Sequence, residues 1–598
     1  MSDRHARRPG TDVTFRVAFI LLAAVSLVPL WSVRIPPMQD IWQHLALVDV
    51  LHNYDTPGSI FPEYFHLPRA PKPNLVYYYA THLLGYLAPD LEIANKIVLS
   101  AYVLAFPLAF LYFLRSFGKS RWLAFFAFPL IYNSMFSYGF VSFLLGMPML
   151  FVAVGAYRRF VAGDGEALDP RPGVLAGGML LATFFTHAHV FLLSNLLCGI
   201  LLLMHRARGW GLVQRLAPFA PGLAFFLPWF TIYFVEHTPS STGMHFGSLD
   251  RFFGPTFYKP SQILGSFFFY VGDCFRGEVD DALFITLVLA SMTLLMLRRT
   301  PAIPRDEKRK MRYLDLEVLT VVLAASSLVL PQHIEAQSIV SLRHIVFAVM
   351  FFFGWLEVDD VPRRVAVPAI ATVMALYAGG LANLVKGYHD FEKELDGYPA
   401  LFERTEEGKR LLKVTYNQES RVVNQGGMWH IHFFYTLLKG GVSDMQFAEY
   451  PHNPIQYRAG MVPPLTGTEF TRNPAWRYYD YVLTRKMAMP PMKPVEDRLE
   501  PIAENEEWIL FRASDSPGPR PPETEPLANP RRAAVDSEGR TTAGVPSNRE
   551  AGVLHATPTP SVRVDAGRSA AGDLVRGRDR QGGGSGTRSG GSSSDRDR

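Results

Sequence analysis

Runs of apolar residues long enough to cross, or nearly cross, a bilayer recur along this chain. They fall at about 15–33, 93–114, 121–137, 140–157, 173–187, 189–204, 216–236, 282–298, 316–331, 344–357 and 364–385. Several are shorter than the roughly 20 residues that a spanning helix uses. Those within 121–157 and 173–204 read as tight hairpins or partly buried spans. The pattern predicts a mainly α, polytopic membrane protein with about eleven transmembrane helices.

Basic residues orient these spans, because loops on the cytoplasmic side carry the Lys/Arg excess. Arg4, Arg7, Arg8 and Arg16 place the N-terminus inside. With eleven spans, Arg115, Lys119 and Arg121, then Arg158 and Arg159, then Arg206 and Arg208 also fall inside. The burst "RRTPAIPRDEKRKMR" (298–312) and Arg363-Arg364 complete the set. The same threading puts loop 34–92, loop 237–281, the turn 331–343 and everything after about 386 outside. The first apolar run leads into Trp31 and Arg34 with no small-residue cleavage pattern, so it reads as an uncleaved span.

The character of the chain changes at 386. Residues 386–513 are polar, with strand-like pieces in "YDYVLTR" and "EWILFR", and read as a small extracytoplasmic α/β domain. From 514 to 598 Pro, Gly, Ser and charge dominate, a composition that cannot bury a core and predicts a disordered tail. The division is therefore a cytoplasmic N-terminus (1–12), a transmembrane domain (13–385) that includes loop 34–92, the C-terminal domain (386–513) and the tail.

Composition narrows the function. Of the 598 residues 48% are hydrophobic and only 19% charged, and the net charge of +5 gives no footprint for a nucleic-acid partner. Two cysteines, Cys198 and Cys274, offer neither a disulfide framework nor metal spacing. No G-x-S-x-G elbow, phosphate-binding G-x-x-x-x-G-K-[ST] loop or H-E-x-x-H helix occurs.

Candidate chemistry gathers where the chain would leave the membrane. In "MQDIWQHLALVDV" (38–50) a helix would place Asp40 and His44 four apart on one face, beside an apolar stripe of Ile41, Leu45 and Val48. Pro36-Pro37 would start it. The pair is either a solvated face with an i,i+4 contact or a carboxylate placed to accept a proton from a hydroxyl. Asp49, His52 and Asp55 read as its solvated continuation. In "FFTHAHVFLL" (184–193) His187 and His189 are a packed polar turn, a contact for phosphate or sugar, or a metal ligand pair. In "LPQHIEAQSIVSLRHIVFAVM" (330–350) Arg343 departs from the positive-inside pattern. It either snorkels to headgroups or holds phosphate oxygens, with His333, Glu335 and His344 nearby in sequence. Arg69, Lys72 and the aromatic "YYYATH" would position the first loop at headgroups.

This arrangement resembles the GT-C class of integral-membrane glycosyltransferases. The long first extracytoplasmic loop, the "DIWQHLA" motif just after span one, the many following spans and an extracytoplasmic C-terminal domain carry the resemblance, over about residues 13–513. Ile41 follows Asp40, so the acidic pair usual in protein-mannosyl and aminoarabinose transferases is absent. The resemblance implies a sugar donor linked to polyprenyl phosphate and a lipid, glycan or protein acceptor, at the outer face of the cytoplasmic membrane. It implies Asp40 as the base and Arg343 on the donor phosphate, with His44, His187 and His189 as further substrate contacts. It assigns no metal ligands or cofactor and leaves room for a divalent cation. The alternative is a non-catalytic multi-span transporter or envelope-assembly scaffold; transporters favour related halves and midplane charges, neither of which the sequence displays.

Overall fold

The computed structural model describes residues 9–162, 169–205, 207–235, 257–268, 271–272, 274–297, 307–334, 337–359, 361–450, 452–464, 473–489, 495 and 498–514. Glu335 and the tail beyond 514 lie outside the described residues.

The apolar segments fold as helices. They are α1 (Pro9–Val25), α4 (Leu91–Ser116), α5 (Val141–Val161), α6 (Pro170–Thr186), α7 (Ala188–Met204), α8 (Ala220–Val235), α9 (Val279–Leu297), α10 (Glu307–Val329), α11 (Val340–Trp355) and α12 (Arg363–Glu394). Between α1 and α4 lie α2 (Ile41–His52) and α3 (Leu75–Gly85). Five helical stretches, Asp12–Trp31, Leu91–Ser116, Val141–Val161, Val279–Leu297 and Arg363–Phe402, are long and apolar enough to cross a bilayer. Ala188–Met204 and Val340–Trp355 are shorter apolar helices. Their outer surfaces keep large apolar side chains exposed, among them Ile20, Leu108, Leu196, Leu289 and Val321, as a lipid-facing surface requires.

The segment 121–137 takes another form. Arg121–Leu130 is a 3-10 helix and Ser134–Tyr138 a short α-helix. A 3-10 helix rises about 2.0 Å per residue, so ten residues cover roughly 20 Å, more than an α-helix would. Its two ends meet opposite ends of the bundle: Arg121 pairs with Asp12 near the start of α1, while the carbonyls of Ser137 and Tyr138 accept from Gln39 and Asp40 N–H after α1. Irregular backbone is tolerated at this depth because it is buried in protein, and Leu123–Phe128 are all enclosed. Phe125 and Phe128 pack edge-on against Phe15 and Phe19 of α1.

Among the described residues, two of the basic residues assigned to the inner side, Lys119 and Arg158, are held by partners from other elements. Arg158 and His205 both reach the fully buried Asp315, at 3.2 and 3.0 Å. Arg158 also donates to the Ser116 carbonyl, and Lys119 pairs with Glu357.

The first loop and the C-terminal residues close over the bundle. β4 (Arg410–Val414), β5 (Val442–Ser443), β7 (Tyr481–Arg485), β8 (Leu499–Glu504) and β9 (Trp508–Ala513) form one mixed sheet in the order β5-β4-β7-β9-β8. β4 runs parallel to β5 and β7, and β9 antiparallel to β7 and β8. Arg485, fully buried on β7, pairs with Glu507 beside β9 (2.6 Å) and ties this sheet to α12 through Glu394 (3.4 Å). β1 (Phe65–His66) of the first loop pairs with β6 (Gln456–Tyr457), and the Phe65 and Tyr457 rings stack at 4.8 Å.

Four expectations for the loop need correction. α2 is not a surface helix with one apolar stripe: Ile41–Gln43 and Leu45–Leu51 are all buried. Its sequence is apolar nearly all round, because Trp42, Ala46, Leu47, Val50 and Leu51 complete the circle, and such a helix belongs in a core. It starts at Ile41, four residues after Pro37, with Asp40 at the N-cap position. Lys72 is buried and donates to the Asn453 carbonyl at 2.8 Å instead of reaching headgroups.

Asp49 is likewise not solvated. Its carboxyl is buried, accepts from the Asn53 amide at 2.7 Å, and is pushed up from about 3.8 to about 7, chiefly by desolvation. Between those values the folded chain binds a proton that the unfolded chain has lost, so stability falls as pH rises through that window. Asp49→Asn is therefore expected to raise Tm in detergent micelles at pH 7.5 by removing a cost on the order of 4 kcal/mol. Below pH 4 the variant and wild type should melt together.

Candidate functional site

Asp40 stands where three elements meet. Its N–H is fixed by the Tyr138 carbonyl (3.1 Å) and its carbonyl accepts from His44 N–H at the first turn of α2 (3.1 Å). Gly139 makes this approach feasible. It has φ +80, and a Cβ there would lie 2.8 Å from the Asp40 nitrogen.

The Asp40 side chain is 6% exposed and lines a cleft of about 1010 Å3, partly open to solvent, between the bundle and the C-terminal residues. Burial pushes its carboxyl up from 3.8 to about 7, against the Gln39 amide and the charge of Arg343, which both favour the ionised form. Gln39 Nε2 donates to Oδ1 at 3.1 Å, and His430 Nε2 lies 3.5 Å from the same oxygen.

His44 lines the cleft too, but it does not form a side-chain pair with Asp40. Its Nδ1 meets the Tyr78 hydroxyl at 2.7 Å, and burial lowers the imidazole to about 3, so it stays neutral.

Arg343, in the first turn of α11, is 4% exposed and does not snorkel. Its guanidinium lies over the Phe140 ring at 4.1 Å and donates to the Ser338 carbonyl (3.0 Å) and Gln337 Oε1 (3.4 Å). Gln337 and Ser338 form β3 (Gln337–Ser338), the return strand of a hairpin with β2 (His333–Ile334). His333 belongs to this hairpin and is not part of the cleft lining.

His187 breaks the run of helix between α6 and α7, with extended φ −164 and ψ 119. Arg343 Nη1 lies 3.3 Å from His187 Nε2. A guanidinium only donates, so His187 Nε2 accepts and its proton resides on Nδ1. That Nδ1 is buried and finds no hydrogen-bond partner among the described residues. Arg343 and His187 thus present donors and positive charge to one region of the cleft, a set suited to phosphate oxygens.

His189 faces away from the cleft. Its Nε2 meets His344 Nε2 at 2.7 Å, and His344 Nδ1 meets Ser326 Oγ at 2.6 Å. Ser326 spends its own hydrogen on the Leu323 carbonyl, so it accepts from His344, and His189 supplies the proton between the two rings. This chain ties α7, α11 and α10 together behind Arg343.

Several lining residues were not among the sequence candidates: Trp429, His430, Phe447, Tyr450, His452 and Asn453, all from the C-terminal residues. The signal available was "MWHIHFFY", where histidines alternate with aromatic residues in an otherwise polar stretch. Among the described residues no group of three or more His, Cys, Asp or Glu side chains is arranged to hold a metal ion.

No family model matches the chain, and no curated protein matches it. Solved structures do. A crystal structure of ArnT from Cupriavidus metallidurans bound to undecaprenyl phosphate matches at 13% identity and a TM-score of 0.49, over 84% of this chain and 98% of that one. The apo form of the same protein matches equally well, at 13% identity and 0.49. The arabinofuranosyltransferase AftD from Mycobacteria matches at 14% identity and 0.45, over 83% of this chain and 40% of that one. Likeness at this level identifies neither a donor nor an acceptor for this chain.

Proposed function

We propose that the chain is a GT-C-like membrane glycosyltransferase that moves a sugar from a polyprenyl-phosphate-linked donor to a hydroxyl acceptor. The observation that carries this reading is the placement of Asp40 and Arg343 on one buried cleft, each with its neighbours fixed. In this reading the Asp40 carboxylate takes the proton of the acceptor hydroxyl as its oxygen bonds the anomeric carbon. The bond from that carbon to the phosphate oxygen breaks, and polyprenyl phosphate leaves with the electron pair. One negative charge passes from Asp40 to the phosphate, where Arg343 and the His187 Nδ1–H stabilise it. A single displacement inverts the sugar carbon.

The positive-inside pattern supports a cleft at the outer face of the cytoplasmic membrane. Trp429, Phe447, Tyr450 and His452 of the cleft lining supply stacking faces and polar atoms for the acceptor, which is a lipid, glycan or protein. The test is an assay of purified protein with a panel of polyprenyl-phosphate-linked sugars. Release of polyprenyl phosphate with formation of an inverted glycoside is expected. Absence of transfer from every donor, with ligand flux in vesicles, would instead establish a transporter.

A further inference from the structure

The cleft contains a hydrogen-bond chain that reaches Asp40 from the C-terminal residues, and its polarity can be read from the partners. Gln43, fully buried on α2, donates from Nε2 to the Met445 carbonyl at 2.6 Å, and its Oε1 accepts from Phe447 N–H at 2.9 Å. These two bonds fix which end of the amide is nitrogen. The second Nε2 hydrogen is then directed at His430 Nδ1, 3.2 Å away. His430 Nδ1 must accept, so in the neutral imidazole the proton sits on Nε2. That nitrogen faces Asp40 Oδ1 at 3.5 Å.

The carboxylate is therefore held asymmetrically. Gln39 Nε2 and His430 Nε2 both address Oδ1, and Oδ2 receives no hydrogen bond among the described residues. We propose that His430 is a positioning residue for Asp40: Gln43 locks its imidazole in the Nε2–H form, and that N–H holds Oδ1 so that Oδ2 is kept for the acceptor proton. The assignment rests on the reading of Asp40 as the base. It makes the C-terminal residues part of the reaction centre and not only a cover over it. A donor aimed at one oxygen also favours the ionised carboxylate in a site whose burial opposes it. The other titratable and charged groups lining the cleft with Asp40 are Arg343 on α11, His187 between α6 and α7, His44 on α2, Tyr78 on α3, Tyr450 and His452.

Two measurements on the full-length protein in detergent need no sugar transfer. The first is the 15N chemical-shift pattern of His430 in histidine-labelled protein, assigned by its loss in His430→Gln. The Nε2–H form is expected in wild type and the Nδ1–H form in Gln43→Glu, whose carboxylate can only accept. The second is carbodiimide labelling of Asp40 against pH, read by mass spectrometry. Loss of labelling should move to higher pH in His430→Leu, and stay near the wild-type position in His430→Gln, whose amide can still donate. In transfer assays His430→Leu should lower kcat by about 10²-fold with the donor KM unchanged. His430→Gln should recover most of that loss.

An Nδ1–H imidazole in wild type would overturn the proposal. So would a labelling profile and kcat that His430→Leu leaves in place while circular dichroism shows the variant folded. Failure of wild type to transfer any sugar would overturn the proposed reaction itself, and the tautomer and labelling results would then decide whether His430 holds Asp40.

Discussion

Asp40→Asn is expected to lower the transfer rate by about 10²- to 10⁴-fold, the usual contribution of a positioned general base, while leaving the protein folded. The substitution keeps the size and planarity of the side chain. The Gln39 amide can still donate to the remaining oxygen, as it does to Oδ1 at 3.1 Å. The backbone bonds that place residue 40, to the Tyr138 carbonyl and from His44 N–H, do not involve the side chain. What disappears is the proton acceptor. Wild-type activity should rise as pH increases through about 7, because below that value the buried carboxyl keeps its proton and has nothing to accept with. The residual rate of the variant should lack this acid limb. Burial that raises a carboxyl toward neutrality costs stability but gives a stronger base that is still ionised at working pH. Donor binding, read as KM, should change little, since Arg343 and His187 lie on another part of the cleft wall.

The second large effect is expected at Arg343. Arg343→Gln should reduce kcat/KM by about 10²- to 10³-fold, through both a weaker donor KM and a lower kcat, because the phosphate gains charge as it leaves. Arg343→Lys should not restore it. The planar guanidinium lies against Phe140 at 4.1 Å while its nitrogens reach the Ser338 carbonyl, Gln337 and His187 together. An ammonium group offers a point charge without that fork. Glutamine retains a donor for the Ser338 carbonyl, so the fold should persist, with circular dichroism and gel filtration as controls. If KM and kcat were both unchanged, Arg343 would be a structural cation and the phosphate would need another site.

Much of the architecture was readable from periodicity. The described residues of the eleven apolar segments lie mostly on helical backbone, five stretches being long and apolar enough to cross a bilayer, and the strand-like pieces at 479–485 and 507–512 lie largely in β7 and β9. The departures have physical causes. Segment 121–137 is apolar enough to span, and the shelter of neighbouring elements permits its 3-10 backbone. The stripe of Ile41, Leu45 and Val48 predicts an amphipathic α2, whereas the count that matters is of apolar residues around the full circle.

The site was legible one wall at a time. Asp40, His187 and Arg343 could be singled out because each is a polar residue at the edge of an apolar run, where burial without function is costly. His430 and Gln43 could not. Their meaning depends on a contact across 387 residues of sequence separation and on the direction in which one amide is turned. His189 illustrates the converse: it shares the short motif of His187, yet one residue of helix turns it to His344 and away from the cleft.

The most direct test of the central claim is an experimental structure of the full chain in a lipid nanodisc with a polyprenyl phosphate bound. The phosphate is expected within hydrogen-bond reach of the Arg343 guanidinium and His187 Nδ1, with Asp40 Oδ2 facing the position that the sugar carbon would occupy. A phosphate bound elsewhere on the protein, with the Arg343 cleft open and empty beside it, would contradict it.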